Sequence, residues 1–332
     1  HKAMPNPLAR IASATCMPDD AAAACPSKAF RTKDGGVKIW MTRNLNWNGG
    51  PEIGAMKLGS RLVPAYSGSA TSGGYDPQDP YIERNPAYDE EESGGSVKGD
   101  QAVTDRHGRL YTLDEILLGT PAGGLGRGIT SIEWPSAYNV GSTFVDAVGT
   151  QITARVFKSA EMKAVTDDER FFAENPALSA QIQGICPYGW HIANFRDWYD
   201  LAYAALEASR GDGTYPVREE MLTIAKLVAT NANNVAPWLR TQEGWTSTPA
   251  RAAGADAFDF NLYPTGWRLN KNGYGQYGDT AHSWVPLIGS SAKKTWRLNN
   301  VKATSNYWFN DNLDAGNPAV GIRCVKNYKV KK

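Results

Sequence analysis

The chain lacks the features that would point to a membrane or to a nucleic acid. Its 332 residues contain no apolar run of roughly 18 or more, so the sequence predicts no membrane span. Its 35 basic and 34 acidic residues give a formal net charge of +1, without the basic excess typical of nucleic-acid-binding proteins. No apolar stretch follows His1 and Lys2, so we expect a mature or trimmed form whose targeting segment is missing.

Cysteine and histidine are scarce, with four residues of each, and no Cys-x-x-Cys motif occurs. Their spacing builds no zinc site, so we predict no metal centre and no cofactor. Two cysteine pairings fit the spacing: Cys16 with Cys25, and Cys186 with Cys324, the second of which would close most of the C-terminal half. The alternative is four free, buried thiols in a cytosolic protein.

Motifs for catalysis are missing as well. The sequence has no Gly-x-Ser-x-Gly nucleophile motif and no phosphate-binding loop. The glycine-rich stretch at residues 123–128 follows no clear strand and opens no helix, which argues against a dinucleotide site. We therefore expect a protein that is not an enzyme.

Turn-forming and aromatic residues, in contrast, are abundant, with 33 Gly, 19 Pro, 11 Trp and 15 Tyr. This combination predicts short strands, long loops and an irregular mixed fold of the α+β class. Residues 1–29 are rich in Ala and Pro and show no clear period, so we interpret them as an N-terminal arm or linker.

Local patterns predict several elements. A hairpin is expected around the turn Asp34-Gly35-Gly36, with Val37, Ile39 and Met41 alternating as the inner face of its second strand. One helix should cover residues 195–206 behind the capping residue Asn194. Further helices are expected from residue 159 past 165 and over 219–229. Strand-like pieces follow at 258–262, 266–269, 283–287, 294–298 and 320–325.

Several ordered blocks match a known pattern. They are Lys38-Ile39-Trp40-Met41-Thr42-Arg43-Asn44-Leu45-Asn46, Gly108-Arg109-Leu110-Tyr111-Thr112, Ile185-Cys186-Pro187-Tyr188-Gly189-Trp190-His191-Ile192, Tyr263-Pro264-Thr265-Gly266-Trp267-Arg268 and Val320-Gly321-Ile322-Arg323-Cys324-Val325-Lys326. In this order the blocks resemble the Fibrobacter succinogenes major paralogous domain. That family is widespread in surface and secreted proteins of Bacteroidetes and Fibrobacteres, and it resembles the C-type-lectin-like superfamily and the formylglycine-generating enzyme fold.

The resemblance implies a single C-type-lectin-like domain over residues 30–328, with insertions at about 48–108 and 119–183 whose roles are unassigned. It also implies a disulfide between Cys186 and Cys324, and a structural role beside that bridge for His191, which otherwise is a tempting general base. The location it implies is secreted or cell-surface, associated with the outer membrane.

The function expected from the resemblance is recognition of a glycan or a surface protein. Aromatic rings stack on ligand faces and Asn amides donate and accept hydrogen bonds, so the C-terminal region, which holds 13 of the 21 Asn residues, is the expected ligand face. The candidate ligand residues are Tyr274, Tyr277, Trp284, Asn299, Asn306, Tyr307, Trp308 and Asn310. For each tryptophan the alternative is a core position in a short strand.

Two other functions stay open. The domain could be a structural accessory part of a larger surface or fimbrial assembly, without a ligand of its own. A formylglycine-generating type of oxidase is less favoured, because Cys186 and Cys324 are needed for the bridge and no third cysteine lies near them in the sequence. Calcium stays open as a ligand, since Trp308-Phe309-Asn310-Asp311 matches the Trp-Asn-Asp motif of calcium-dependent lectins only in part.

Overall fold

A computed structural model of the chain describes the following residues: 26–47, 59, 104, 106–111, 113–116, 140–155, 157–187, 189–209, 222–228, 239–241, 243–245, 259–269, 273–275, 278, 280–286, 297–302 and 319–329. Their strands are β1 (Ser27–Arg31), β2 (Val37–Met41), β3 (Thr143–Val145), β4 (Gln151–Thr153), β5 (Trp190–Ile192), β6 (Trp267–Leu269), β7 (Gly273–Gly275), β8 (Thr280–Val285), β9 (Arg297–Lys302) and β10 (Cys324–Lys326). Their helices are α1 (Leu113–Ile116), α2 (Ser159–Lys163), α3 (Asp168–Glu174), α4 (Phe195–Ser209) and α5 (Ile224–Val228), with a 3-10 turn at Pro176–Ser179.

The central sheet has the strand order β1-β2-β10-β5, and all its pairs are antiparallel. Val325 of β10 pairs with Trp40 on one side and with His191 on the other. The beginning and the end of the domain therefore meet in the middle of one sheet. The remaining strands form three two-stranded sheets, and the helices alongside these sheets make the expected α+β composition.

The first hairpin is present, but of the expected inner face only Met41 is fully buried. Val37 is 57% exposed, whereas Lys38 and Trp40 are buried. The alternation of apolar residues gave a wrong prediction because Lys38 lies on the inner face. Its ammonium group forms ion pairs there with carboxylates of α4. The strand β1 also begins at Ser27, within the stretch interpreted as an arm.

Helix α4 follows the sequence pattern closely. Asn194 Oδ1 accepts a hydrogen bond from the backbone N–H of Asp197, and Asp197 Oδ2 accepts one from the N–H of Asn194, both at 2.9 Å. This reciprocal pair is a capping box, which satisfies two backbone donors at the helix start. The expected apolar face is buried, including Phe195, Trp198 and Leu201.

Two other helices differ from their predicted bounds. The helix expected to run past residue 165 ends at Lys163, and α3 begins separately after Asp167, whose side chain accepts from the N–H of Arg170. The helix α5 begins at Ile224, where Thr223 Oγ1 accepts from the N–H of Lys226 at 3.1 Å. In both cases the helix begins where a polar side chain caps it, and the spacing of hydrophobic residues does not reveal that position.

The region interpreted as an insertion at residues 119–183 contributes to the core. Its described part supplies the buried side chains Ile152, Phe157, Met162 and Phe172. The chain there forms β3, β4, α2 and α3, so this segment is packed into the same hydrophobic core as β2 and α4. Within the described residues, no helix has both the length and the hydropathy to cross a membrane.

The strand expected at residues 258–262 is wrong over its described part. Asp259 and Asn261 have left-handed backbones, with φ of 50° and 54°, which interrupt a pleated strand. Between them Phe260 is fully buried, where its ring lies 5.5 Å from Trp40 and 6.1 Å from Trp198. The other strand-like pieces correspond to β6, β8, β9 and β10 with shifted bounds.

Candidate functional site

The disulfide implied by the resemblance is present between Cys186 and Cys324. The two Cα atoms are 5.9 Å apart, and both residues are fully buried. Cys324 is the first residue of β10, so the bridge joins the last strand to the loop before β5. Cys16 and Cys25 lie outside the described residues.

Beside the bridge lies a group of charged and polar side chains that we name the buried ion cluster: Lys38, His191, Asp197, Asp200 and Tyr328. Lys38 Nζ is 2.7 Å from Asp197 Oδ1 and 2.9 Å from Asp200 Oδ2. His191 Nε2 is 2.9 Å from Asp197 Oδ2, and the hydroxyl of Tyr328 donates to Asp197 Oδ1 at 2.9 Å. The cluster thus ties β2, β5, α4 and the residues after β10 to one carboxylate.

The electrostatics of the cluster keep its central pair charged. Burial lowers the pKa of Lys38, but its interactions with Asp197, Tyr328 and Asp200 raise it above its ordinary value. Burial raises the pKa of Asp197, but Lys38 and His191 lower it below the usual range for aspartate. A buried pair that stays ionised on both sides is a structural link rather than an acid and base ready for proton transfer.

His191 has no face open to a substrate. Its ring is fully buried, with Nε2 against Asp197 and Nδ1 2.9 Å from Asn327 Oδ1. Both ring nitrogens are therefore engaged within the protein. This geometry favours the structural role that the resemblance implies for His191 over general-base chemistry.

A cavity of about 320 Å³ lies over the cluster, lined among others by Lys38, Arg196 and Asp200. Its charges are matched within the fold. The guanidinium of Arg196 donates to Glu169 at 3.0 and 3.2 Å and to Asp200 at 3.3 Å, and it lies 4.3 Å from the centre of the Phe172 ring. The charged side chains in the walls of this cavity therefore bind one another.

A larger cavity of about 600 Å³, which we name the polar cleft, lies elsewhere on the surface. Its lining comes from five separate stretches of chain: Pro26, Thr42, Arg43, Arg106, His107, Thr241, Glu243, Asp259, Asn261 and Tyr263. Only Pro26 among these ten has a wholly apolar side chain. The cleft therefore presents hydrogen-bond donors and acceptors, together with side chains of positive and of negative charge.

One wall of the cleft is a stack of two rings. His107 and Tyr263 lie nearly parallel, with centroids 3.4 Å apart and planes 11° apart. On the tyrosine, a Cβ added at Gly244 would lie 2.4 Å from the ring, so only glycine permits this close approach. Burial, together with the charges of Arg106 and Arg323, lowers the pKa of His107 to about 4, so the ring is neutral at physiological pH.

The backbone of the cleft at residues 259–261 is held by Arg323. Its guanidinium donates to the carbonyl of Phe260 at 2.8 Å and to that of Asn261 at 2.5 Å, while Nε donates to Asn44 Oδ1 at 2.8 Å. Arg323 is 1% exposed and directly precedes the bridged Cys324. The cleft is thereby fixed to the central sheet through the residue beside the disulfide.

Of the predicted ligand residues, the structure describes the side chain of Trp284 and the backbone of Tyr274 and Asn299. Trp284 is 4% exposed and its indole N–H donates to the carbonyl of Tyr111 at 3.4 Å, so it holds the core position weighed as its alternative. The backbone of Tyr274 pairs with Arg268, and that of Asn299 pairs with Ser283. The other candidates, Tyr277, Asn306, Tyr307, Trp308 and Asn310, lie outside the described residues.

Sequence reasoning missed the residues that line the polar cleft. Arg43 and Tyr263, which line the cleft, and Arg323, which anchors its backbone, all lie within the motif blocks. In the sequence these blocks indicate only the family resemblance. An arginine immediately before a bridged cysteine was a usable signal, because a buried guanidinium needs several acceptors and so organises the backbone around it. The contribution of Arg106 and His107 had no comparable signal.

A comparison with models of known families identifies the family of this chain. The model of the family described as Fibrobacter succinogenes major domain matches residues 35–326. The chain belongs to this family. The matched part of this Fibrobacter succinogenes major domain contains both bridged cysteines, the whole buried ion cluster except Tyr328, and every residue of the polar cleft except Pro26. Neither the comparison with curated proteins nor the comparison with solved structures gave a match.

Proposed function

We propose that this Fibrobacter succinogenes major domain is a non-catalytic recognition module that binds a glycan or a surface protein in the polar cleft. The observation that carries the proposal is the cleft itself. It is an open cavity of about 600 Å³, large enough for a small ligand, and nine of its ten lining side chains are polar. A binding surface of this kind needs donors and acceptors held in fixed positions.

The backbone at the cleft supports the same proposal. Asp259 and Asn261 adopt left-handed conformations, which cost energy in residues other than glycine and persist where the surrounding structure imposes them. Here Arg323 and the buried ring of Phe260 impose them. Strained backbone of this kind collects at binding sites, and both of these residues line the cleft.

We further propose a C-type-lectin-like scaffold. Its support is the sheet in which β10 lies between β2 and β5, which brings the first and last parts of the domain together. A bridge that ends on the same strand would hold this closure while the connecting segments vary. The disulfide also supports a secreted or outer-membrane-associated cell-surface location, since such bonds persist in oxidising compartments.

Absence of catalysis is part of the proposal. The sulfur atoms of Cys186 and Cys324 are bonded to each other and fully buried, which removes them from oxidase chemistry of the formylglycine-generating type. We propose no cofactor, and the binding assays compare the chain in calcium and in a chelator.

The test is a glycan array and a cell-adhesion assay with the purified chain, each run with calcium and with a chelator. Binding of a defined glycan or surface is expected. Asn261→Gly keeps the left-handed backbone accessible while removing the amide, and it should weaken that binding roughly tenfold. The matched control is Val145→Thr, a change at a 55% exposed position on β3.

The outcomes separate the functions. Binding that Asn261→Gly weakens and Val145→Thr leaves unchanged supports recognition through the cleft. Absence of binding to every glycan and cell surface contradicts the proposal and leaves the alternative, a structural accessory domain of a surface or fimbrial assembly without its own ligand. Binding that needs calcium would contradict the absence of a cofactor.

A further inference from the structure

The polar cleft is lined by two arginines and two carboxylates, and a third arginine lies beneath its backbone. Arg43 and Arg106 line it from two separate segments, and Arg323 lies directly beneath the backbone at residues 260–261. The described carboxylates of the lining are Glu243 and Asp259. Asp259 is already 2.9 Å from Lys28 Nζ, so its negative charge is partly offset at the exposed edge of the cleft.

The positive charges of two arginines affect a side chain inside the cleft. Arg106 and Arg323 both act on the ring of His107, where their charges add to burial in lowering its pKa to about 4. Because protonated His107 is disfavoured by cations at that position, an anion placed there is favoured by the same field. The ring stack on Tyr263 keeps His107 next to the two guanidiniums.

From this arrangement, and resting on the proposed recognition function, we infer that the ligand of the polar cleft is an acidic glycan. The carboxylate or sulfate of its acidic sugar accepts hydrogen bonds from the guanidinium of Arg106, which is exposed at the cleft. Guanidinium groups bind such planar or tetrahedral anions with paired, charge-assisted hydrogen bonds.

A sugar fits the rest of the lining better than a peptide does. Thr241, Glu243 and Asn261 offer oxygen and amide groups for ring hydroxyls, which act both as donors and as acceptors. The ring of Tyr263 is stacked on His107 and closely approached by the backbone at Gly244, so the polar groups of the lining supply the contacts of this sugar.

The experiment compares pairs of probes that differ in their charge. The chain is titrated with sialyllactose against lactose, and with trigalacturonate against its carboxyl-reduced counterpart. A short peptide with a free carboxyl terminus is compared with its amidated form. We expect the acidic sugars to bind at least roughly tenfold more tightly than the neutral ones. Added salt should weaken the binding of the acidic sugars and leave that of the neutral sugars unchanged.

Two variants locate the interaction. Arg106→Gln should reduce the affinity for the acidic sugars roughly tenfold and leave the affinity for the neutral ones unchanged. Arg170→Gln, the same charge change at a side chain that is 73% exposed on α3, is the matched control and should change neither. Circular dichroism and the unfolding midpoint of both variants should match those of the wild type.

Four outcomes would overturn the inference. Equal affinity for acidic and neutral sugars, or full acidic binding by Arg106→Gln, contradicts it while the recognition function stands. Binding of the free-carboxyl peptide alone identifies a peptide ligand and contradicts the glycan. Absence of binding to every probe, together with a negative cell-adhesion assay, contradicts the recognition function as well.

Discussion

The buried ion cluster and the polar cleft are built from the same kinds of side chain, and they differ in where their charges are matched. In the cluster, Lys38 is matched by Asp197 and Asp200 at distances below 3 Å, with side chains that are 6%, 0% and 4% exposed. In the cleft, Arg106, Glu243 and Asp259 are exposed to solvent. A charged group is a sign of function only when its surroundings leave part of it accessible.

The difference also separates stability from binding. Removing one member of a buried charge pair leaves the other unmatched in a medium of low dielectric constant, which is costly for the fold. Removing a charge from an exposed wall changes the fold little, because water already solvates it. Mutations in the two regions should therefore affect different measurements, and the predictions below run from the largest expected effect to the smallest.

The largest effect is expected for the bridge that both regions share. Replacing Cys186 and Cys324 with alanine releases a loop of 138 residues and should lower the free energy of unfolding by about 4 kcal/mol. The measurement is denaturant unfolding of the oxidised wild type and of the variant. A loss below about 1 kcal/mol would mean that the sheet closes without the bridge.

The next effect tests the cluster alone. Lys38→Met removes the buried cation that lies within 3 Å of both Asp197 and Asp200, and we expect a loss of about 3 kcal/mol of unfolding free energy. Val37→Thr, on the exposed face of the same strand, should cost less than about 0.5 kcal/mol. Similar losses for the two variants would contradict the interpretation of Lys38 as the centre of the cluster.

Arg323 connects the two regions and should affect both measurements. Arg323→Lys keeps the charge but cannot reach Asn44, Phe260 and Asn261 together, so we expect a loss of about 2 kcal/mol and weaker ligand binding. Arg170→Lys on the exposed face of α3 is the matched control. Reduced stability with unchanged binding would show that the cleft does not depend on this anchor.

The smallest effect is a pH dependence that distinguishes the regions. The folded-state pKa of His107 is about 4, below its ordinary value of 6.5, so its contribution is complete above pH 6.5 and is lost as the pH falls toward 4. The pKa of Asp197 lies below the usual aspartate range, so its contribution is lost only at lower pH. The difference in unfolding free energy between wild type and His107→Gln should therefore shrink from pH 7 to pH 4. A constant difference would contradict this assignment.

The sequence predicted the parts of the fold that depend on local chemistry. Asn194 and Asp197 cap α4 because their side chains reach backbone groups within one turn. The pairing of Cys186 with Cys324 came from the motif blocks around them. Patterns fail where a distant residue decides, as for Lys38, whose inward orientation depends on carboxylates about 160 positions later.

The candidate site was harder to predict for the same reason. Its lining comes from five stretches of chain that only the folded sheet brings together, and none of them has a periodicity of its own. Trp284 was selected for its type and its Asn-rich surroundings, whereas its position in β8 buries it. Composition describes what a surface can be made of, and the topology decides which residues reach it.

The place of β10 in the sheet has a consequence for how the chain folds. Strands β2 and β5 each pair with β10, and β10 is read last during synthesis, at residues 324–326. The central sheet therefore stays divided until almost the whole domain has been made, since contacts this distant in sequence form late. The closure of the sheet, the bridge at Cys324 and the anchor of the cleft at Arg323 therefore all depend on the same late segment of the domain.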